Sequence, residues 1–588
     1  MKSWHRIVLA TVAAVICIVI ACQAKYGAAQ DAATKAVASG GDGVAALDEA
    51  LRARIEVNDL RDLNRVILLV ESALEKGLDD ADEEFAQNML CDTLMERATK
   101  LMQVFSTQPL QPNQAQQIRN LVTSDLRRVL TYDNSPAEAH LMLGRLLALP
   151  AGDPYEARRI LNGYLDREDL PAENQAEALA LRGRLAKDPA KSLADFEEAI
   201  RLVPENENYQ LARALLLRAQ NKIEESLAAV DEILEHNPDA ANALILQGEI
   251  YRVLKRPGDA LTSFDSATEL IPQAPGPYQN RGEIYREQGH YDKAVEQFSK
   301  VLEYKPGVLL TLVHRAEAYL NDQKPELALA DSELVLEKKS LIAAHRIRAA
   351  ALSKLDRLDE AIVEMEQLAE AIPREPELRM QLALYYLVDQ QLEKAVSAYS
   401  EVLEIDGENV VALRSRGDTY LNFGKHAEAI ADFEQALSLQ KDDTSLLNNL
   451  AWVLATSPDD QLRDGKRAIE LAAKACELTE HKQSHILSTL AAAYAESGNF
   501  ESAIEWSKKS VEMNDPEHCD QLKKELESYS SGKPWRERQS IDKEKTPPKE
   551  PLTEFPQAPP NDAGQIIEQK PDWKLVPLKD LEEEPDTE

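Results

Sequence analysis

The side chains able to do chemistry are few and scattered along the chain. His481 and His485 stand four apart, with Cys476 before them and His518 and Cys519 beyond. Two histidines at that spacing on one helix can hold zinc. The HKQSH stretch falls between two repeating units, however, so one helix through both is not expected and no metal site is assigned. Cys17, Cys22, Cys91, Cys476 and Cys519 form no CxxC pair, the spacing a zinc ribbon or thioredoxin-like centre needs. A Cys476–Cys519 disulfide is open to an oxidising compartment, though nothing requires it. Gly424-Lys425 and Gly465-Lys466 lack the upstream glycine and following Ser or Thr of a phosphate loop. No HExxH, GxSxG or GxGxxG pattern is present. Without a nucleophile–base set the chain reads as a non-enzyme with no cofactor.

Bulk composition points the same way. The chain has 588 residues, too many for a single compact core. It is 44% hydrophobic but only 5% aromatic, as a helical protein rich in Ala, Leu and Glu would be. A net charge of −35 opposes binding to a phosphate backbone, which needs basic surface. It suits a self-repelling body whose partners are other proteins, basic ones included.

The elements that position any site are set by a repeat. Laid over itself at an offset of 34 residues, 241–308 matches Gly248 to Gly282, Tyr251 to Tyr285, Ala260 to Ala294, Phe264 to Phe298 and Pro272 to Pro306. This period and order of small, aromatic, small, aromatic and proline positions resembles the tetratricopeptide repeat, a helix–turn–helix unit. Physical reasons accompany each position. The glycines and alanines allow the two helices of a unit to approach closely. The aromatic residues fill gaps between units. The prolines end the second helix, where a fixed φ and a missing N–H stop it. KRPGD (255–259) and EQGHYD (287–292) each supply a glycine expected to make the turn.

In chain order, residues 1–22 place Lys2 and Arg6 before an uncharged apolar run from Ile7 to Cys22, the pattern of a secretory signal or membrane anchor. Val19-Ile20-Ala21-Cys22 resembles a bacterial lipobox, which implies cleavage before Cys22 and acylation of its thiol. An uncleaved anchor, or cleavage near Ala28-Ala29, are the alternatives. All three place the body outside the cytoplasm, tethered in the cell envelope or secreted. Residues 23–43 read as a flexible linker, and 44–135 as a helical N-terminal cap or degenerate repeats. An array of about ten to eleven units spans 136–517, most regular at 241–308 and 376–443. Residues 518–530 read as a capping helix. Residues 531–588 form a Pro- and Glu-rich tail expected to be disordered. In it, DWKLVPLKDL (572–581) is either inert or a short motif that docks on a partner or back on the array.

The resemblance implies an all-α, right-handed superhelix (an α-solenoid) whose first helices line a concave groove that holds peptides. The family's contact positions are the second, fifth, ninth, twelfth and thirteenth of a unit. Carried onto this sequence, they give Glu249, Glu283 and Glu317 as an acidic row, beside Arg252 and Arg286. Further on they give an apolar patch of Met380, Leu384, Leu387, Val388, Leu421 and Trp452. The Lys and Asn of chaperone-docking units are replaced by Ile245, Gln279 and Val313 at the fifth position and Glu at the ninth. The expected function is a non-catalytic interaction scaffold of the bacterial envelope, with membrane contact through the N-terminal segment only and no nucleic acid bound. The alternatives are an accessory lipoprotein presenting a hydrolase or protease to its substrate, or a self-associating structural protein.

Overall fold

The computed structural model describes residues 41–107, 111–132, 136–150, 152–168, 170–513, 519–537, 567–569 and 573–576, with backbone alone at 41, 106–107, 112, 519, 567–569 and 573–576. The signal, the acylation candidate Cys22, most of the linker and most of the tail lie outside the described residues. The chain divides into two bodies, Met1–Pro272 and Gln273–Glu588. Both are built from consecutive helices, and the class is the expected all-α repeat solenoid. Among the described residues the first helix, Gly41–Ile55, starts inside the stretch read as linker.

Local sequence explains where helices begin. Asp59 caps Leu60–Lys76 by accepting from the Arg61 and Asp62 N–H groups at 2.6 and 3.1 Å, while Asp62 reaches back to the Asp59 N–H at 3.1 Å. Three N–H groups at the helix start are thereby satisfied. Its apolar stripe of Val66, Ile67 and Val70 is buried against Leu90, Leu94, Leu126 and Leu143 of the following helices. Arg97 and Asp125 are buried with this core and form a bidentate pair, Nε–Oδ2 2.7 Å and Nη2–Oδ1 2.5 Å. Burial pushes the Asp125 carboxyl up, against the pull of Arg97.

From residue 207 onward the helices alternate in the repeat's rhythm, for example Ala241–Val253 with Pro257–Leu270, and Pro275–Glu287 with Tyr291–Tyr304. The small positions do as expected within a unit. A Cβ on Gly248 would fall 2.6 Å from the Phe264 ring, one on Gly282 2.5 Å from Phe298, and one on Gly417 2.7 Å from Phe433. These rings are wholly buried, each worth on the order of 2–3 kcal/mol of burial. They seat on the glycine of their own unit, so they hold helix pairs together as well as filling space between units.

The turn departs from the sequence reading. In eight units from residue 207 onward the residue that reverses the chain stands at the fifteenth position and has positive φ: Asn221 (60°), Lys255 (58°), Gly289 (74°), Gln323 (56°), Asp356 (60°), Gln390 (61°), Gly424 (68°) and Gly498 (79°). The next N–H then bonds a carbonyl of the first helix, as in Arg256 to Tyr251 at 2.8 Å and Gln391 to Tyr386 at 2.8 Å. This is the closure that satisfies terminal carbonyls. In KRPGD the left-handed residue is therefore Lys255. Gly258 lies inside the second helix.

One small sheet accompanies the second body. Ser340–Leu341 pairs in parallel with Trp573–Val576, which pairs antiparallel with Ile567–Gln569. The strand Trp573–Val576 belongs to the apolar motif singled out in the tail.

Candidate functional site

The charged residues expected on the inner face are not free. In the first body Glu249 is ion-paired with Arg218, which stands at the twelfth position of the preceding unit. In the second body Arg286 Nη1 reaches Glu317 Oε2 at 3.0 Å, the same twelfth-to-ninth step. Glu283 accepts from Gln279 Nε2 at 2.9 Å and lies 3.8 Å from His314 Nδ1. Arg252 is half-buried. The expected acidic row is thus in part a ladder of rungs between successive units. Each rung is about one-third exposed, so it contributes about 0–1 kcal/mol. Its effect is to neutralise charge that a partner would otherwise meet.

A second polar device was not anticipated. Arg315 grips Asp331 through two bonds of 2.7 and 2.8 Å and donates to Ser299 Oγ at 3.1 Å. Arg416 repeats it with Asp432 at 2.8 and 2.7 Å and Ser400 at 2.9 Å. Both aspartates are buried. The arginine stands at the seventh position of its unit. It joins the second helix of its own unit to the second helix of the unit before. Gln247 does the same for Asp231 and Ser263, at 2.7 Å each. The signal in the sequence was a polar residue recurring at the seventh position, opposite a polar residue 16 further on.

The apolar stretch is partly open. Met380 and Leu387 are half-buried against the core around Leu378, Tyr385 and Tyr399. Leu384 is half-buried as well, and Val388 is 43% exposed. Leu421 and Trp452 pack on the next core, around Leu413, Phe433 and Leu450.

Trp452 already has a peptide on it. After Cys519–Ser530 the chain reverses at Gly532 (φ 70°), with the Lys533 N–H bonded to Ser528 O at 3.0 Å. The non-helical segment 533–537 then returns to the helix Thr444–Thr456. Trp535 packs on the core that includes Leu454 and Tyr529. Arg536 Nη2 meets Glu496 Oε2 at 2.6 Å, while Arg463 Nε holds Glu496 Oε1 at 2.9 Å. Arg536 Nη1 donates to Ala455 O at 3.3 Å. The Glu537 N–H donates to Thr456 O at 3.0 Å, and Trp452 Nε1 donates to Glu537 Oε2 at 2.5 Å. The tail, expected to be disordered from residue 531, is therefore docked through 537.

The reason lies in the helix end. The loop after Thr456 is longer than in other units and has no left-handed residue at the usual position. Val453 O is taken by Ser457 N–H and Leu454 O by Asp464 N–H at 2.9 Å. The carbonyls of Ala455 and Thr456, on buried residues, need other donors, and the segment brings them. Beside it, His426 is buried and neither ring nitrogen has a hydrogen-bond partner among the described residues. Burial lowers its basicity, opposed by the Glu537 and Asp459 carboxylates.

The histidine pair is split as expected. His481 sits in the turn after Gly465–Leu478 with φ 58°, stacked on Trp506 at 5.5 Å, and His485 is in the next helix. The Cys476 thiol is buried, which pushes it up to about 11. Among the described residues no group of three or more His, Cys, Asp or Glu side chains could hold a metal ion, and no helix is long and apolar enough to cross a membrane.

Tetratricopeptide-repeat family models match residues 211–275, 275–308, and both 415–443 and 484–516. Among solved structures, the chain is similar to a tetratricopeptide repeat protein from Parabacteroides merdae at 19% identity, covering 42% of this chain and 98% of that one with a TM-score of 0.35. It is similar to the Cut9–Hcn1 hetero-tetramer of the APC/C at 15%, covering 76% and 94%, TM-score 0.32, and to yeast Tom70 at 15%, covering 67% and 96%, TM-score 0.31. Such likenesses say nothing about partners. No curated protein is matched. The chain is an all-α solenoid that carries tetratricopeptide repeats over residues 211–308, 415–443 and 484–516.

Proposed function

We propose that this protein is a non-catalytic docking scaffold of the bacterial cell envelope, holding segments of partner proteins on the first helices of the second body. Repeats of this kind mediate protein–protein contact, and the observation that carries the reading is the segment 533–537. It shows a non-helical peptide held against Trp452 by an aromatic anchor, an ion pair and backbone bonds. The half-open residues Leu384, Leu387 and Val388, two units before Trp452, extend the same inner-face positions and supply apolar anchors of the kind that dominate interfaces. The ladder of neutralised charge leaves burial as the main source of affinity. The apolar run Ile7–Cys22 supports an envelope location, through acylated Cys22 or an uncleaved anchor.

The test is capture from an envelope extract by the immobilised chain, compared with a Leu384→Asp/Val388→Asp variant of unchanged circular dichroism. The expected result is a tenfold or greater loss of the specifically retained proteins. Equal retention by both would remove this face as the contact. Intact mass of the native protein from the membrane fraction checks the tether: a chain beginning at acylated Cys22 is expected.

A further inference from the structure

We infer that the end of the Thr444–Thr456 helix is a peptide-recognition site whose resident ligand is the chain's own segment 533–537, and that it accepts a partner segment of the same chemistry: an aromatic residue, then arginine, then an acidic residue. This deepens the proposed function and rests on it.

Every feature of the site asks for that order. Ala455 O and Thr456 O have no donor from their own helix or loop, and receive the Arg536 guanidinium at 3.3 Å and the Glu537 N–H at 3.0 Å. A ligand that could not supply both would leave buried carbonyls without partners. Glu496 fixes the arginine at 2.6 Å. The Trp452 indole, a donor only, calls for an acceptor one residue later and finds the Glu537 carboxylate. The core beside Leu454 and Tyr529 takes the aromatic ring one residue earlier.

The resident segment is held in the manner of a bound peptide. Residues 533–537 have no secondary structure of their own. Arg463 already neutralises Glu496 at 2.9 Å, so the site keeps its carboxylate in place when Arg536 leaves. Arg536 itself is one-third exposed. Pro534 biases Lys533 toward extended backbone, which keeps the segment ready to lie along the helix end. Another 51 residues follow Glu537, so the occupant is a stretch inside a long continuing chain. A competing segment faces an intramolecular rival at an effective concentration set by a very short tether. Wild-type protein therefore binds such a partner weakly, and release of the segment unmasks the site.

The experiment uses the full chain and a fluorescein-labelled peptide of residues 531–539. In a Trp535→Ala/Arg536→Ala variant the peptide is expected to bind at least tenfold more tightly than to wild type. Adding Glu496→Gln to that variant is expected to weaken it at least tenfold, and a peptide with the arginine replaced by glutamate is expected not to bind. A folded variant that ignores the peptide overturns the inference. If the variant does not fold, hydrogen exchange on wild type decides instead. An exchangeable occupant lets the Glu537 amide exchange at least a hundredfold faster than amides within Thr444–Thr456. Exchange of both only in one common unfolding event makes the segment an integral cap and overturns the proposal. Failure of the peptide with the Leu384/Val388-dependent capture intact removes this inference and leaves the proposed function. The reverse pair of results removes that function and leaves the peptide site.

Discussion

Single atoms decide much of this fold's stability. Gly248 has no room for a methyl group: its Cβ would lie 2.6 and 2.7 Å from two carbons of the buried Phe264 ring. Gly258, ten residues on, has nothing within 4 Å and sits in the first turn of a helix. Gly248→Ala is therefore expected to destabilise by about 1–3 kcal/mol through overpacking. Gly258→Ala should stabilise by about 0.5 kcal/mol, because alanine loses less backbone freedom on folding. Urea unfolding of the two variants checks the opposite signs. His426 gives a second residue-scale expectation. Burial lowers its folded pKa below the unfolded value, with Glu537 and Asp459 opposing. The unfolded chain then binds more protons, so the contribution is complete above the unfolded pKa, about 6.5, and is lost as pH falls from there. The wild-type urea midpoint should drop between pH 7 and 5.5, and His426→Phe should flatten that drop. Identical slopes in the two proteins would show that His426 keeps its ordinary basicity.

At the scale of the helix pair, the repeat is closed by backbone geometry more than by residue type. The fifteenth position of the unit favours a left-handed residue, yet Asn, Lys, Gln and Asp stand there more often than Gly, at five positions against three. A non-glycine residue in that conformation costs about 1–2 kcal/mol, offset by the carbonyl bond it permits and by pairing of the following helix. Lys255→Gly, Gln323→Gly and Gln390→Gly are each expected to stabilise by about 0.5 kcal/mol. Gly424→Ala should cost about 1 kcal/mol. Chemical denaturation of the four variants measures this, and a loss of stability on inserting glycine would refute it. The same geometry explains the docked segment. Where the loop after Thr456 lengthens, the local closure is lost, and a stretch 81 residues later in the chain completes the helix end.

On the scale of the molecule, a repeat protein buries each unit on its neighbours and needs no single core. Stability is local in such a chain, and so is function. The charge expected on the inner face is taken up between successive units, as in Arg218–Glu249 and Arg286–Glu317. The open apolar positions and the proposed peptide site lie in the second body. A net charge of −35 makes the chain self-repelling, and under the proposed function recognition falls to these apolar and hydrogen-bonded spots.

The 34-residue spacing by itself determined the helix pairs, the close approach of Gly248 to Phe264 and of Gly282 to Phe298, and the all-α class. Those features depend on neighbours within one period, which a sequence displays directly. The family resemblance adds Trp452 as an expected inner-face residue, because position in the unit sets the direction of a side chain. Tertiary structure alone decided what each inner-face residue meets. Glu249 and Glu317 look like free carboxylates until the preceding unit places an arginine beside them. Asp331 and Asp432 look like ordinary surface acids until the helices bury them under Arg315 and Arg416. Residues 533–537 look like the start of a proline-rich tail, since their order comes from two unsatisfied carbonyls and an indole some 80 residues away. Periodicity records which face a side chain is on; only the packed chain supplies the partner, because that partner comes from another unit.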